Sequence, residues 1–445
     1  MAAWTLIAAL LLLAPDLDSD LQRALERSGV ATRGLSVAVG RAGAAPLFVV
    51  SADEPRIPAS NQKVIIAAAA VHRLGAKFEF TTQVAHSAEG GHLVVIGDGD
   101  PNLSGRFFDG DPDQVLRILA RDLASQGVTK VAGNLVIDDT RFDRVYVHPD
   151  WPRDQLDRWY AAPVGALVFN DSCWDILVLP GGAAGDPARL LVKPALLDAR
   201  IQNDCRTTDG RRQAIRMGRG KSGLFVGGTV RVDSGGYPGH VTVRDPVAFF
   251  GRAFGAALKA EGVEVQGELR RGAVPVGQTL VRFRSSLRRT LKVMLTNSQN
   301  LYAECVLKRL GEGSFESGAE AVVVALGELG VNVEGLRVRD GSGLARSNRL
   351  TARALYDTLQ AMRDEPIFVE ALAAGGEGTL RRRYRDLKER VRAKTGTIRG
   401  VSSFSGYVTG REGGRYVFSI LANGSAVGRA RAFQDLVVQT LESAP

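Results

Sequence analysis

Little in this sequence could support metal or disulfide chemistry. Its 445 residues include three Cys and five His. Cys173, Cys205 and Cys305 form no Cys-x-x-Cys pair and no zinc spacing. His72, His86, His92, His148 and His240 are scattered, with no His-Glu-x-x-His, so metal-assisted hydrolysis has no support. A Cys173–Cys205 bridge would suit an oxidising compartment, whereas Cys305, in a helix-like apolar run, reads as a buried thiol. The Gly-x-Ser-x-Gly elbow of α/β-hydrolases is missing altogether. Lys is scarce as well, contributing ten of the 57 basic residues. The net charge of +9 therefore rests on Arg spread along the chain, with small clusters at Arg288-Arg289 and Arg381–Arg383. No zinc finger, RNA-recognition signature or basic helix accompanies it, which argues against nucleic acid as a partner. Codon bias or an anionic extracellular polymer accounts for the charge equally well.

What is present is ordinarily globular: 45% hydrophobic, 24% charged, 51 Gly and 17 Pro. The length suits two or three domains. Met1–Ala14 is an apolar run too short to span a bilayer comfortably and reads as the core of an export signal over residues 1–18. It has no basic residue ahead of it and no clean small-x-small cleavage site. An uncleaved anchor or a misplaced start codon is the alternative. No other stretch qualifies as a transmembrane segment.

Residues 17–34 carry Leu17, Leu21 and Leu25 at helical spacing. Gly34–Gly40 and Pro46–Val50 are strand-like around a turn, which predicts a hairpin. After Phe80 short strand patterns recur between Gly, Asp and Pro turns, with one clear helix near Gln114–Gln126. This predicts a β-rich insertion over 82–280, forming one or two subdomains. Helices return over Leu287–Leu310, Gly318–Leu329 and Thr351–Arg363. Two strands, Gly400–Val408 and Arg415–Ala422, and a helix near Arg431–Leu441 close the chain. The layout is α+β: a helical region plus an antiparallel sheet formed from both ends of the chain, with residues 19–81 and 281–445 forming one domain around the insertion.

The chemistry centres on Ile57–Gly75. Pro58-Ala59 opens a helix and Gly75 stops it. Val64 to Val71 is apolar on every side, the pattern of a fully buried helix. Ser60 and Lys63 lie on one face, one turn apart. A buried Lys is costly unless it is paired or loses its proton, and a neutral amine can take the proton of a neighbouring Ser. The N–H of a Ser in a first helical turn is free to stabilise an oxyanion.

Ser60-x-x-Lys63 is the chain's only Ser-x-x-Lys, Ser298-Gln-Asn300 its only Ser-x-Asn and Lys394-Thr-Gly396 its only Lys-Thr-Gly. Lys221-Ser-Gly223 is a decoy that falls before Ser298, in the wrong order. Gly396 and Gly400, lacking side chains, would let a substrate backbone approach the strand. With these three motifs in this order, and with Gly97-Asp-Gly-Asp-Pro-Asn-Leu103, Ser298–Glu304, Asp340-Gly-Ser-Gly-Leu-Ala-Arg346 and Lys394–Tyr407, the chain resembles the D-alanyl-D-alanine carboxypeptidase/endopeptidases. These are the low-molecular-mass class C penicillin-binding proteins of the DacB-like group. The resemblance runs from about residue 34 to the C-terminus, and Gln299 departs from it where Asp is commoner.

The resemblance implies the serine β-lactamase/DD-peptidase fold, no cofactor and no metal. It implies an exported hydrolase of the periplasm or cell envelope, without a stable membrane span. By the same resemblance it would act on peptidoglycan stem peptides ending in D-Ala-D-Ala and be acylated by β-lactams. It assigns Ser60 as nucleophile, Lys63 as general base and Ser298 as proton relay. Asn300 would bind the substrate amide and hold Lys63. Lys394 would supply positive potential, Thr395 and Thr397 would bind the terminal carboxylate, and Gly396 would let the substrate close in. The N–H groups of Ser60 and Thr397 would form the oxyanion hole. Two alternatives stay open: a β-lactamase of the same fold, which the long insertion argues against, and a catalytically silent wall-binding protein, which the intact motifs argue against. In Asp340-Gly-Ser-Gly343, Ser342 reads as part of a loop beneath the site, and Tyr302 and Glu304 as packing and capping residues.

Overall fold

The structure is a computed structural model that describes residues 17–220 and 223–444. The expected export signal thus lies outside the described residues except for Leu17 and Asp18, as do Lys221 and Ser222 of the decoy motif.

The central sheet draws on both ends of the chain. Its strands lie in the order Ala373–Ala374, Val391–Ile398, Val401–Thr409, Arg415–Asn423, Leu35–Arg41, Phe48–Val50. Every pairing is antiparallel. Side-chain alternation gives the sheet two buried faces. Leu35, Val37, Val39, Phe418 and Ile420 pack with Leu21, Phe433 and Val437 of the two terminal helices, Leu17–Ser28 and Val427–Ser443. Ala38, Val417 and Leu421 face the opposite way, into a larger helical core. The α+β expectation is met as a sheet sandwiched between two helical layers.

The helix Gln62–Leu74 occupies the middle of that larger core, and every residue from Gln62 to Val71 is buried. Its four consecutive alanines combine the best helix propensity with small volume, so neighbours close in on all sides. The helices Asn300–Leu310, Phe315–Glu328 and Ala352–Ala361 surround it. Gly75, at φ 84, ends it. The helix expected over Leu287–Leu310 is two helices, Leu287–Thr296 and Asn300–Leu310. They part at Ser298, which has φ 61. A left-handed non-glycine residue costs of order 1–3 kcal/mol, and here the turn it makes aims the Ser298 hydroxyl at Lys394.

The insertion leaves and rejoins through two antiparallel strands, Glu79–Ser87 and Val276–Ser286. The expected limits at 82 and 280 fall within these strands. They belong to a mixed five-stranded sheet covered by the helices Asp113–Ser125 and Pro246–Ala260. The second of these helices was not expected, because its Phe and Gly residues obscure the period. Its start was nonetheless legible: Asp245 caps it and Pro246 follows at the first helical position. A separate β core lies beyond, built on Cys173–Leu179, Ile201–Thr208 and Leu224–Arg231. Cys173 and Cys205 belong to different three-stranded sheets, and both are free, buried thiols like Cys305. The suggested bridge is not formed. Among the described residues no helix is long and apolar enough to cross a membrane.

Candidate active site

Ser60 sits in a single 3-10 turn, Ala59–Asn61, that feeds directly into the central helix. Ala59 has φ 46, a strained value that sets the angle of approach. The turn is locked to the sheet by Asn61, whose Nδ2 donates to the Lys394 carbonyl at 3.2 Å and to Ser403 Oγ at 2.8 Å. Ser403 in turn donates to the Pro58 carbonyl at 2.7 Å. Nothing in the sequence singled out Asn61 or Ser403, since each acts through a partner more than 300 positions away.

Lys63 is fully buried. Its Nζ lies 3.2 Å from Ser60 Oγ, 2.7 Å from Asn300 Oδ1 and 2.8 Å from the Ser342 carbonyl. An ammonium satisfies all three as donor. A neutral amine satisfies Asn300 and Ser342 with its two protons and turns its lone pair to the Ser60 hydroxyl. Burial brings the Lys63 pKa down to about 7, against the opposing pull of Glu304 and Asp340. Asn300 is oriented by its other end, with Nδ2 donating to the Tyr160 carbonyl at 2.7 Å, which leaves Oδ1 to Lys63.

Lys394 Nζ donates to Ser298 Oγ at 2.9 Å and to the Thr395 carbonyl at 2.7 Å. It is fully buried, and both of these acceptors are neutral. Burial, then the charge of Lys63, pushes its pKa well down. Gln299 donates to Asp171 Oδ2 at 2.9 Å. This explains the departure from Asp at that position: a carboxylate there would face Asp171, whereas the amide complements it.

Thr395 and Thr397 alternate with Lys394 and Gly396 along the strand, and Thr397 is exposed. The neighbouring strand pairs with Arg392 and Ala393, so among the described residues no strand covers this edge from Lys394 to Ile398. A Cβ on Gly396 would lie 2.9 Å from Ser60 N and 2.1 Å from Ser403 Oγ. Contact between the strand and the Ser60 turn thus by itself requires a glycine here. Gly400 is reassigned: at φ 73, with nothing near its Cβ position, it makes the hairpin turn.

The Asp340–Gly343 loop lies directly beneath. A Cβ on Gly343 would stand 1.8 Å from the Ala59 carbonyl. Ser342 is buried, its Oγ accepting from Leu344 N at 3.3 Å, which is an internal turn and not a second nucleophile. Glu304, expected only to pack or cap, accepts from Gly341 N at 2.7 Å and Ser342 N at 2.9 Å. Among the described residues no group of three or more His, Cys, Asp or Glu is placed to hold a metal ion.

An antiparallel sheet beside a buried helix that opens with Ser-x-x-Lys defines the serine β-lactamase and DD-peptidase class. The comparisons narrow the class. The chain belongs to the D-Ala-D-Ala carboxypeptidase 3 (S13) family, whose model matches residues 17–443. It is 33% identical to a D-alanyl-D-alanine carboxypeptidase of Actinomadura sp. (strain R39), over 91% of this chain and 80% of that one. It is 26% identical to the D-alanyl-D-alanine carboxypeptidase DacB of Haemophilus influenzae, over 84% and 81%. In fold it resembles the crystal structure of penicillin binding protein 4 from Haemophilus influenzae, with a TM-score of 0.79 at 22% identity over 95% of this chain and 99% of that one.

Proposed function

We propose that this protein is an exported serine-type D-Ala-D-Ala carboxypeptidase, with DD-endopeptidase action on the same peptidoglycan stem peptides, working through an acyl-enzyme on Ser60. The observation that carries the reading is the contact between Lys63 Nζ and Ser60 Oγ, with Lys63 buried and poised to lose its proton near neutrality.

Lys63 as a neutral amine takes the Ser60 proton while Oγ attacks the carbonyl between the two D-alanines. The N–H groups of Ser60 and Thr397 receive the negative charge that develops on the carbonyl oxygen. As the C–N bond breaks, Ser298 passes a proton to the leaving amine and is resupplied from the Lys63–Lys394 side. Water then attacks the ester, Lys63 takes its proton, and Ser60 is restored with release of the shortened peptide. The terminal carboxylate docks against Thr395, Thr397 and Lys394. Because Lys394 has no carboxylate partner among the described residues, an anionic ligand favours its protonation, and a charged Lys394 in turn favours the neutral form of Lys63. The uncovered edge of Lys394–Ile398 suits an extended peptide laid alongside as an added strand. A β-lactam carries the same amide and carboxylate and would be trapped at the ester.

A fluorescent penicillin, followed by intact mass and peptide mapping, tests the reading. A stable adduct on Ser60, absent from Ser60→Ala, is the expected result. Unmodified drug with no adduct would leave a silent wall-binding protein, and hydrolysed drug with no adduct would leave a β-lactamase.

A further inference from the structure

Buried beneath the Ser60–Lys63 pair lie two carboxylates that the mechanism does not use, Glu304 and Asp340, both at 0% exposure. Asp340 is fully engaged in building its own loop. It accepts from Trp151 Nε1 at 2.8 Å, Gly343 N at 2.9 Å, Ala345 N at 2.7 Å and Asn348 Nδ2 at 2.7 Å. Glu304 is committed differently. Its two oxygens accept from the successive N–H groups of Gly341 and Ser342, and the Ser342 hydroxyl bonds the same carboxylate. The carbonyl of that same Ser342 is one of the three contacts of Lys63. Glu304 also lies four residues after Asn300 on one helix, so a single helix face supplies Asn300 Oδ1 to Lys63 directly and the Ser342 carbonyl through one peptide unit. The turn has no room to move. A Cβ on Gly341 would stand 2.4 Å from the Ala303 carbonyl and 3.1 Å from Glu304 Oε2.

We propose that Glu304 is a positioning residue for the acylation step: its carboxylate clamps the Gly341–Ser342 turn so that the Ser342 carbonyl holds the Lys63 amine against Ser60, and its charge decides at what pH that amine becomes the base. The inference rests on the serine-peptidase reading above.

The charged and titratable groups around the clamp are known from every side. Lys63 faces it from the central helix, Asp340 from the loop, Cys305 and Lys308 from its own helix, and Lys394 acts from the sheet through Lys63. Lys308 is occupied by Asp143 and the Val145 carbonyl. His148 faces Asp340 from the insertion. Burial, then the charge of Asp340, raises the Glu304 pKa to about 8. Its anion favours the Lys63 ammonium, so the two groups compete for one proton across the neutral range. A glutamine at 304 removes the charge and also sets an NH₂ against one of two N–H donors.

The test compares penicillin acylation rates from pH 5 to 9 for wild type, Glu304→Gln and Glu304→Asp, with thermal melting of each. The glutamine variant is expected to move the acid limb down by about one pH unit and to lower the plateau about tenfold, as a lost charge and a displaced turn require. The aspartate variant, one methylene short, is expected to lower the plateau while leaving the limb in place. A glutamine variant whose limb does not move overturns the proposal and leaves Glu304 a packing residue. Should the glutamine variant fail to fold, the aspartate variant decides: a plateau equal to wild type overturns the proposal, and a lowered plateau with an unmoved limb supports it. If wild type itself takes no label on Ser60, it is the peptidase reading that has failed.

Discussion

Lys63 has three acceptors for three protons, and losing one proton breaks none of the contacts that hold it. In the proposed mechanism Ser60 thus faces a base whose position is the same in both charge states. Acylation as proposed requires the neutral form. Because burial has brought the pKa from 10.5 down to about 7, kcat/KM is expected to rise about tenfold per pH unit below that value and to level above it. Stopped-flow acylation across pH checks this, and a flat profile from pH 5 to 9 would rule Lys63 out as the base. Replacing Lys63 with Ala is expected to slow acylation by about 10²- to 10⁴-fold while leaving Ser60 in place. The neighbouring Gln299 makes a milder case. Gln299→Asp sets a carboxylate against Asp171, which already bonds Arg106, so despite restoring the commoner family residue it is expected to lower the acylation rate and thermal midpoint together.

At the scale of elements, the site is a junction between one helix start and one strand. The central helix presents Ser60 and Lys63, and the strand Val391–Ile398 presents Lys394, Thr395 and Thr397. Gly396 is where the two touch, at a distance that forbids a side chain. Gly396→Ala must push the strand from the Ser60 turn or break the Asn61–Ser403 bridge. It is expected to cut acylation by at least about tenfold, through misplacement of the oxyanion donors, with little change in far-ultraviolet circular dichroism. Gly400→Ala, at a hairpin turn with open space around it, strains only the turn and is expected to cost stability of about 1 kcal/mol while sparing acylation.

Across the whole molecule, the insertion acts on the active site through a few polar contacts. Tyr160 orients Asn300, Asp171 holds Gln299, and Trp151 donates to Asp340. The buried Asn102 amide, from the Gly97–Leu103 turn, reaches Ser285 and Thr290. The insertion therefore braces the Ser298–Asn300 break and the Asp340 loop, with Trp151, Ala161, Val164 and Val168 packed into the same core as the central helix. Trp151→Phe leaves the buried Asp340 carboxylate one donor short, at a cost of about 1–3 kcal/mol. A lowered melting temperature with a matching fall in acylation is expected, and an unchanged rate would show that the brace does not reach the chemistry. Thiol titration of the denatured, unreduced protein is expected to find all three cysteines free.

The sequence alone determined the parts that are local. Ser60 and Lys63 share a face because three residues make a helical turn, and the motif order fixed Lys394 over its decoy. Alternation in the first and last strands was enough to predict an antiparallel sheet from both chain ends. Only the tertiary structure decided what joins those parts. Lys63 meets Asn300 across 237 positions and Ser342 across 279, and no periodicity encodes which backbone carbonyl a buried amine will find. The break at Ser298 falls in the polar run Thr296–Asn300, a local signal that the helix-like apolar stretches on either side outweighed. Glu304 read as packing because its function lies in two backbone N–H groups, which carry no letter in a sequence.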